Sequence, residues 1–163
     1  MIEIVADKDI PYLKEVFENS KSFRLKTLPF DEINKKTLKN SQALLSRSAT
    51  ILNDELINGT DIKFIFSLTA GEDHIDHDFL SSREIFIKTA KGANAQAVLE
   101  YTLDALSFSS EKKVGLIGEG YIGSKLKKVL SFFNYETITF DPYKFENSID
   151  QKDAALRLSL IHI

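Results

Sequence analysis

Cysteine is missing from all 163 residues, which removes disulfide frameworks, thiolate metal sites and cysteine nucleophiles together. Histidine is nearly as scarce, present only as His74, His77 and His162. No apolar run approaches the ~20 residues that a membrane-spanning helix needs. The start, Ile2-Glu3-Ile4-Val5, reads as a strand rather than a signal peptide. An excess of positive charge is lacking too: a net charge of −3 argues against general affinity for nucleic acid, which would need a basic patch. What remains, 43% hydrophobic and 28% charged, has the balance of a soluble globular chain that fills one large domain or two small ones. A cytoplasmic location follows by default.

Along the chain, short β-like runs alternate with helical segments. Strands are predicted at 2–5, 22–28, 43–45, 62–68 and 84–87, and helices at 11–19, 31–40, after Asn53 or Asp54, and at 76–81. Asp31 is the expected cap of the second helix, with Ile33 and Leu38 on its buried side. Strands alternating with helices imply a parallel sheet covered by helices. A boundary falls near Lys91-Gly92-Ala93-Asn94, where Asn94 is placed to cap a longer helix running to about Phe108. The expected fold is therefore α/β: a parallel, flavodoxin-like unit over 1–92, then the first part of a Rossmann nucleotide-binding domain over 93–163.

The second unit is organised around Lys113-Val114-Gly115-Leu116-Ile117-Gly118-Glu119-Gly120-Tyr121-Ile122-Gly123. A short apolar strand runs into a glycine turn, and a helix over 124–133 follows. Gly118, Gly120 and Gly123 have the G-x-G-x-x-G spacing of dinucleotide sites. Those glycines serve a tight turn, close backbone approach to a pyrophosphate, and tight helix–strand packing. The helix N-terminus adds N–H groups and a positive dipole end. A further strand at 136–140 ends at Asp141, about the ~20 residues on at which an acid takes the ribose hydroxyls. An acid at that point favours NAD over NADP. A βαβ unit without a ligand is the plain alternative.

In open parallel sheets, ligands sit beyond the carboxyl ends of the strands. Arg47-Ser48 follows the third strand there, and Thr69-Ala70-Gly71 follows the fourth. Arg47 offers a planar fork suited to carboxylate or phosphate, and Ser48 and Thr69 offer hydroxyls. Spacing alone favours a surface ion pair for Arg47, and for the hydroxyls the capping of backbone groups. The cluster Glu72-Asp73-His74-Ile75-Asp76-His77-Asp78 admits a metal site or, more simply, acids gathered at a helix start.

Thr69-Ala70-Gly71-Glu72-Asp73-His74-Ile75-Asp76 resembles the T-A-G-x-D-H-x-D element of the 4-phosphoerythronate dehydrogenases, a family within the D-isomer-specific 2-hydroxyacid dehydrogenases. Arg47-Ser48-Ala49-Thr50, Gly92-Ala93-Asn94-Ala95-Gln96-Ala97-Val98-Leu99-Glu100-Tyr101 and Asp141-Pro142 agree, as do Pro11-Tyr12 and Ile62-Lys63-Phe64-Ile65. The likeness runs in order from residue 1 to about 143. It implies NAD-dependent oxidation of 4-phospho-D-erythronate on the route to pyridoxal phosphate, by a two-domain enzyme that is typically a homodimer. It also implies that Ser48 and Thr69 bind the phosphorylated hydroxy acid, with Arg47 beside them. Gly120, Tyr121, Ile122 and Asp141 would hold NAD, with Tyr121 and Ile122 acting through backbone N–H groups. The acid–histidine cluster becomes a loop-and-cap feature, with no metal.

The family's catalytic arginine, glutamate and histidine have no counterpart in these 163 residues, so no catalytic residue is named. The resemblance then implies an incomplete, inactive copy. The terminal run 154–163 reads either as the third strand of the nucleotide domain or as a product of a sequencing adapter or a misjoined frame. Incompleteness further predicts a bare, aggregation-prone edge beside the strand at 114–117. Another 2-hydroxyacid dehydrogenase and a non-catalytic nucleotide-binding module are the competing readings.

Overall fold

The computed structural model describes residues 1–108, 112–141 and 143, together with the backbone of 159–162. The chain divides into two compact units, Met1–Lys91 and Gly92–Ile163.

In the first unit, β1 (Ile2–Asp7), β2 (Phe23–Leu28), β3 (Ala43–Ser46), β4 (Phe64–Ser67) and β5 (Phe86–Thr89) form one sheet. All four pairings are parallel and the order is β2-β1-β3-β4-β5. This is the flavodoxin-like order, whose switch point falls between β1 and β3. The connecting helices are short: α1 (Leu13–Phe17), α2 (Lys35–Leu38), α3 (Asp54–Ile57) and α4 (His77–Ser82). Side chains of a strand alternate between its faces. Val5, Leu44 and Ile65 therefore point to one side, where they join Ile33, Leu38, Leu52, Ile57 and Leu80 in the main core. Ile4, Ala6, Ala43 and Leu45 point to the other side, where Ile10 and Leu13 meet them.

Local chemistry explains most helix starts. Asn53 Oδ1 accepts from Leu56 N at 3.1 Å, and Asp76 Oδ1 accepts from Phe79 N at 2.9 Å. Asp31 is not a cap, because residues 30–32 form a separate 3-10 turn after Pro29. Asn34 takes the role instead: its side chain accepts from Lys36 N and Thr37 N, and the Thr37 hydroxyl accepts from Asn34 N, a closed capping box. Ile33 and Leu38 are buried as the sequence pattern implies.

In the second unit, α5 (Ala95–Ser107) precedes β6 (Lys113–Ile117), α6 (Tyr121–Phe132) and β7 (Glu136–Phe140). Asn94 occupies the cap position of α5 but makes no side-chain cap bond. Leu99, Leu106, Val114, Leu116, Leu126 and Leu130 are buried together, and full burial of each side chain is worth about 1.5–3 kcal/mol. The helix after the glycine turn starts at Tyr121, earlier than the sequence suggests, since Ser124 N already donates to Gly120 O at 3.0 Å.

The last strand, β8 (Ser159–His162), pairs in parallel with β6, giving the order β7-β6-β8. Two expectations are corrected. The edge of β6 is not bare, because β8 satisfies the backbone of this buried strand. Nor does β8 take the third-strand place beyond β7; it stands where a doubly wound sheet puts its fourth strand. Residues 109–111, Pro142 of the Asp141-Pro142 pair, 154–158 and Ile163 lie outside the described residues.

Candidate functional site

At the carboxyl edge of the first sheet, four strands end in polar residues: Asp7, Ser46, Ser67 and Thr89. Ser46 is in register with Ser67, and Ser67 with Thr89. Each lies two positions after a residue packed on the main core (Val5, Leu44, Ile65, Ile87), so all four line the same face. Three of the four anchor the loop above them.

Asp7 is fully buried and anchors Arg47. Arg47 Nε donates to Asp7 Oδ2 at 2.8 Å and Nη2 to Asp7 Oδ1 at 3.3 Å, while Nη2 also donates to Asp9 Oδ2 at 2.8 Å. The hydrogen bond to Asp7 is the main reason the guanidinium pKa is pushed above its ordinary value. Burial opposes that rise, and the charges of Asp7 and Asp9 reinforce it. Arg47 therefore makes an ion pair with the exposed Asp9, as spacing favoured, and a second one with the buried Asp7 at the switch point. Its Nε and Nη2 hydrogens are committed, and the two on Nη1 have no protein acceptor among the described residues. Thr50 N donates to Arg47 O at 3.1 Å and closes the turn that exposes Ser48. The hydroxyls of Ser46 and Thr50, on either side of that turn, are buried without a hydrogen-bond partner among the described residues.

Ser67, also fully buried, anchors the next loop. Its Oγ lies 3.1 Å from Thr69 Oγ1 and 2.9 Å from His74 Nε2. Desolvation lowers the His74 pKa, while the charges of Asp73 and Glu72 partly restore it. Leu52 N donates to His74 O at 2.8 Å and Asp76 N to Leu52 O at 2.9 Å, which pins the backbone around the ring. Thr89 Oγ1 donates to Glu72 Oε1 at 3.0 Å, and Glu72 also faces His77 at 3.5 Å and Lys91 at 3.8 Å. Of the acid–histidine cluster, Glu72, His74 and His77 brace the loop and Asp76 caps α4. Among the described residues, no three acids and histidines converge for a metal ion. The sequence reading does not pick out Asp7 or Ser67, although each is a polar residue closing an apolar strand, and His74 enters it only within the acid–histidine cluster.

In the second unit the three glycines have separate geometries. Gly118 has φ +94°, a left-handed conformation that suits glycine. A Cβ on Gly123 would lie 2.0 Å from Gly118 O, so the helix could not pack there with any side chain. A Cβ on Gly120 would meet nothing within 4 Å. That open space lies at the N-terminus of α6, where the N–H groups of Tyr121, Ile122 and Gly123 have no intrahelical acceptor. Space, donors and dipole direction together fit a pyrophosphate. Asp141 is 6% exposed; its Oδ2 accepts from Glu119 N at 2.7 Å and its Oδ1 from Tyr143 N at 2.9 Å. The acid is thereby fixed against the glycine loop. Glu119 Oε2 accepts from Lys127 Nζ at 3.1 Å. The Tyr121 ring packs on Gly92, whose added Cβ would meet it at 3.1 Å.

Comparison with known proteins agrees with this architecture. Erythronate-4-phosphate dehydrogenase of Hahella chejuensis is 39% identical over 151 residues, covering 88% of this chain and 39% of the relative. The Saccharophagus degradans protein of the same name is 35% identical over 150 residues, covering 87% of this chain and 40% of the relative. The chain thus spans about two fifths of the length of these relatives. Among solved structures, NAD+-bound 3-phosphoglycerate dehydrogenase of Entamoeba histolytica superposes with a TM-score of 0.71 at 19% identity, over 99% of this chain and 62% of that one. D-lactate dehydrogenase of Aquifex aeolicus, complexed with NAD and lactic acid, gives 0.64 at 19% identity, over 99% and 55%. At such identities the two structures speak to the fold alone. The family model for the D-isomer specific 2-hydroxyacid dehydrogenase catalytic domain matches residues 1–152, and the chain belongs to that family.

Proposed function

We propose that this chain supplies the substrate loops and the phosphate cradle of an NAD-dependent dehydrogenase that oxidises 4-phospho-D-erythronate at its 2-hydroxyl, in the cytoplasm, on the route to pyridoxal phosphate. The observation that carries the reading is 39% identity to an erythronate-4-phosphate dehydrogenase across both loop systems. The geometry supports it. Arg47 Nη1, Ser48 and Thr69 follow adjacent strands β3 and β4 at one carboxyl edge, and they offer the charge and hydroxyls that carboxylate and phosphate oxygens need.

Gly118, Gly120, Gly123 and the N–H groups of Tyr121 and Ile122 would hold the pyrophosphate of NAD, and Asp141 the adenosine ribose. NAD, when bound, supplies the hydride acceptor. No residue is assigned as the acid/base: the His74 ring is bonded to Ser67, and His77 faces Glu72. The 163-residue chain accordingly binds without turnover, and NADH formation by it alone would overturn that part. By family likeness the active assembly is a homodimer.

The test is NADH formation by a protein of the relatives' full length that carries this chain, with 4-phospho-D-erythronate, D-erythronate, D-lactate and 3-phospho-D-glycerate as substrates. A preference of at least tenfold in kcat/KM for the first supports the assignment. Equal rates with D-erythronate would sink the phosphorylated substrate and leave a 2-hydroxyacid dehydrogenase of other specificity.

A further inference from the structure

Ser67 Oγ is fully buried between two partners, His74 Nε2 at 2.9 Å and Thr69 Oγ1 at 3.1 Å. Ser67 has one hydrogen to give, so this three-member chain has two possible senses. In one, the Thr69 hydroxyl donates inward to Ser67, Ser67 donates to a neutral Nε2, and Thr69 shows only lone pairs to the loop mouth. In the other, Nε2–H donates to Ser67, Ser67 donates to Thr69 Oγ1, and the Thr69 O–H is left to donate outward. An anionic oxygen is repelled by the first arrangement and bound by the second.

We propose that His74 is a positioning residue that, as the Nε2–H donor, sets the direction of the Ser67 relay so that Thr69 presents its hydroxyl hydrogen to an anionic oxygen of the substrate. The inference rests on the reading of Thr69 as a substrate ligand and goes beyond it by naming what makes that hydroxyl a donor. The structure holds the relay rigidly. Ser67 closes a strand paired on both sides, to Ser46 and to Thr89. His74 is fixed through its carbonyl to Leu52, and the next turn is fixed by the Asp76 cap on α4. Burial favours the neutral ring, so the tautomer decides the sense. Asp73 and Glu72 are the charged groups acting on it.

Two measurements on the 163-residue chain test this. Long-range proton–nitrogen correlation on 15N-histidine-labelled protein reads the tautomer, and the Nε2–H form is expected for His74. The Nδ1–H form would overturn the relay. Titration with 4-phospho-D-erythronate, followed at the Thr69, Ala70 and Gly71 amides, reads binding. Ser67→Ala and His74→Phe are expected to weaken it about tenfold, as loss of one oriented donor to a charged group does. His74→Gln, whose amide N–H reproduces the donation, is expected to stay within about threefold of the parent. A structural role alone would fix neither the tautomer nor the rescue by glutamine. If Thr69→Val abolishes binding while Ser67→Ala and His74→Phe bind normally, the relay is wrong and the substrate reading stands. If the parent chain shows no shift at Thr69, the substrate reading falls and the relay with it.

Discussion

Gly123 sits against Gly118 so closely that a Cβ at position 123 would lie 2.0 Å from the Gly118 carbonyl oxygen. The contact is backbone, so no rotamer change relieves it. Gly123→Ala must move α6 away from the glycine turn, and overpacking of this kind costs about 1–3 kcal/mol. The expected outcome is a lower Tm and lost NAD binding together. Gly120→Ala is the contrasting case, because nothing lies within 4 Å of the added methyl and φ is −77°. Its Tm should stay close to the parent while NAD affinity falls at least tenfold, since the methyl enters the space assigned to pyrophosphate. Thermal melts paired with NAD titrations separate the two. Equal affinity in Gly120→Ala would remove the cradle assignment.

Asp7 and Arg47 should behave as one unit. Asp7 is wholly buried and also accepts from Asp9 N at 3.0 Å, so removing its charge disturbs both the guanidinium and a backbone donor. Asp7→Asn and Arg47→Gln are each expected to lower the Tm by roughly 5 °C or more. The double substitution should lose clearly less than the two single losses added together, because each change removes the same interaction. Additive losses would mean that the pair is incidental and that Asp7 acts through Asp9 alone.

The sheet of the first unit was largely legible because its evidence is local. Each apolar run is short, and Asn53 and Asp76 stand where caps belong. Asp31 misled because Pro29 starts a 3-10 turn before the helix, so the true cap came at Asn34. The glycine turn was legible through its spacing, yet the different tasks of Gly120 and Gly123 emerged only from the space around them. Non-local features were hidden. Asp7 meets Arg47 across 40 positions, and His74 meets Ser67 across seven; neither pairing has a sequence period to betray it. Strand β8 chose β6 over β7, a choice of register partner that its own residues do not encode.

Stability should depend on pH through His74. Its folded pKa is below the ordinary 6.5, mainly through burial. As pH falls through about 6.5, the unfolded chain takes up the proton first, so the unfolded state gains and stability drops until the folded pKa is passed. Above pH 7 this contribution is fully present. Melting curves between pH 5 and 8 should therefore show a Tm that falls toward acid, and His74→Gln should flatten that slope near pH 6. An unchanged slope in the variant would mean that carboxylates alone set the acid limb.

The open face of the first sheet, rather than the edge of β6, is where the chain should be sticky. Within the first unit only α1 covers that face, and Ile2, Phe23, Phe64 and Leu68 are 38–45% exposed there. They border a groove of about 460 Å³ lined by Ile4, Phe17, Ala43, Leu45 and Phe66 as well. Parallel sheets are normally covered on both faces, and contiguous exposed apolar surface promotes association. The 163-residue chain should bind a hydrophobic dye and self-associate with rising concentration in sedimentation runs. Phe64→Lys with Phe23→Lys should suppress both while leaving the Tm of the unit within a few degrees, because neither ring belongs to the main core. Dye binding that survives both substitutions would locate the exposed apolar surface elsewhere, and the suspicion would return to the strands of the second unit.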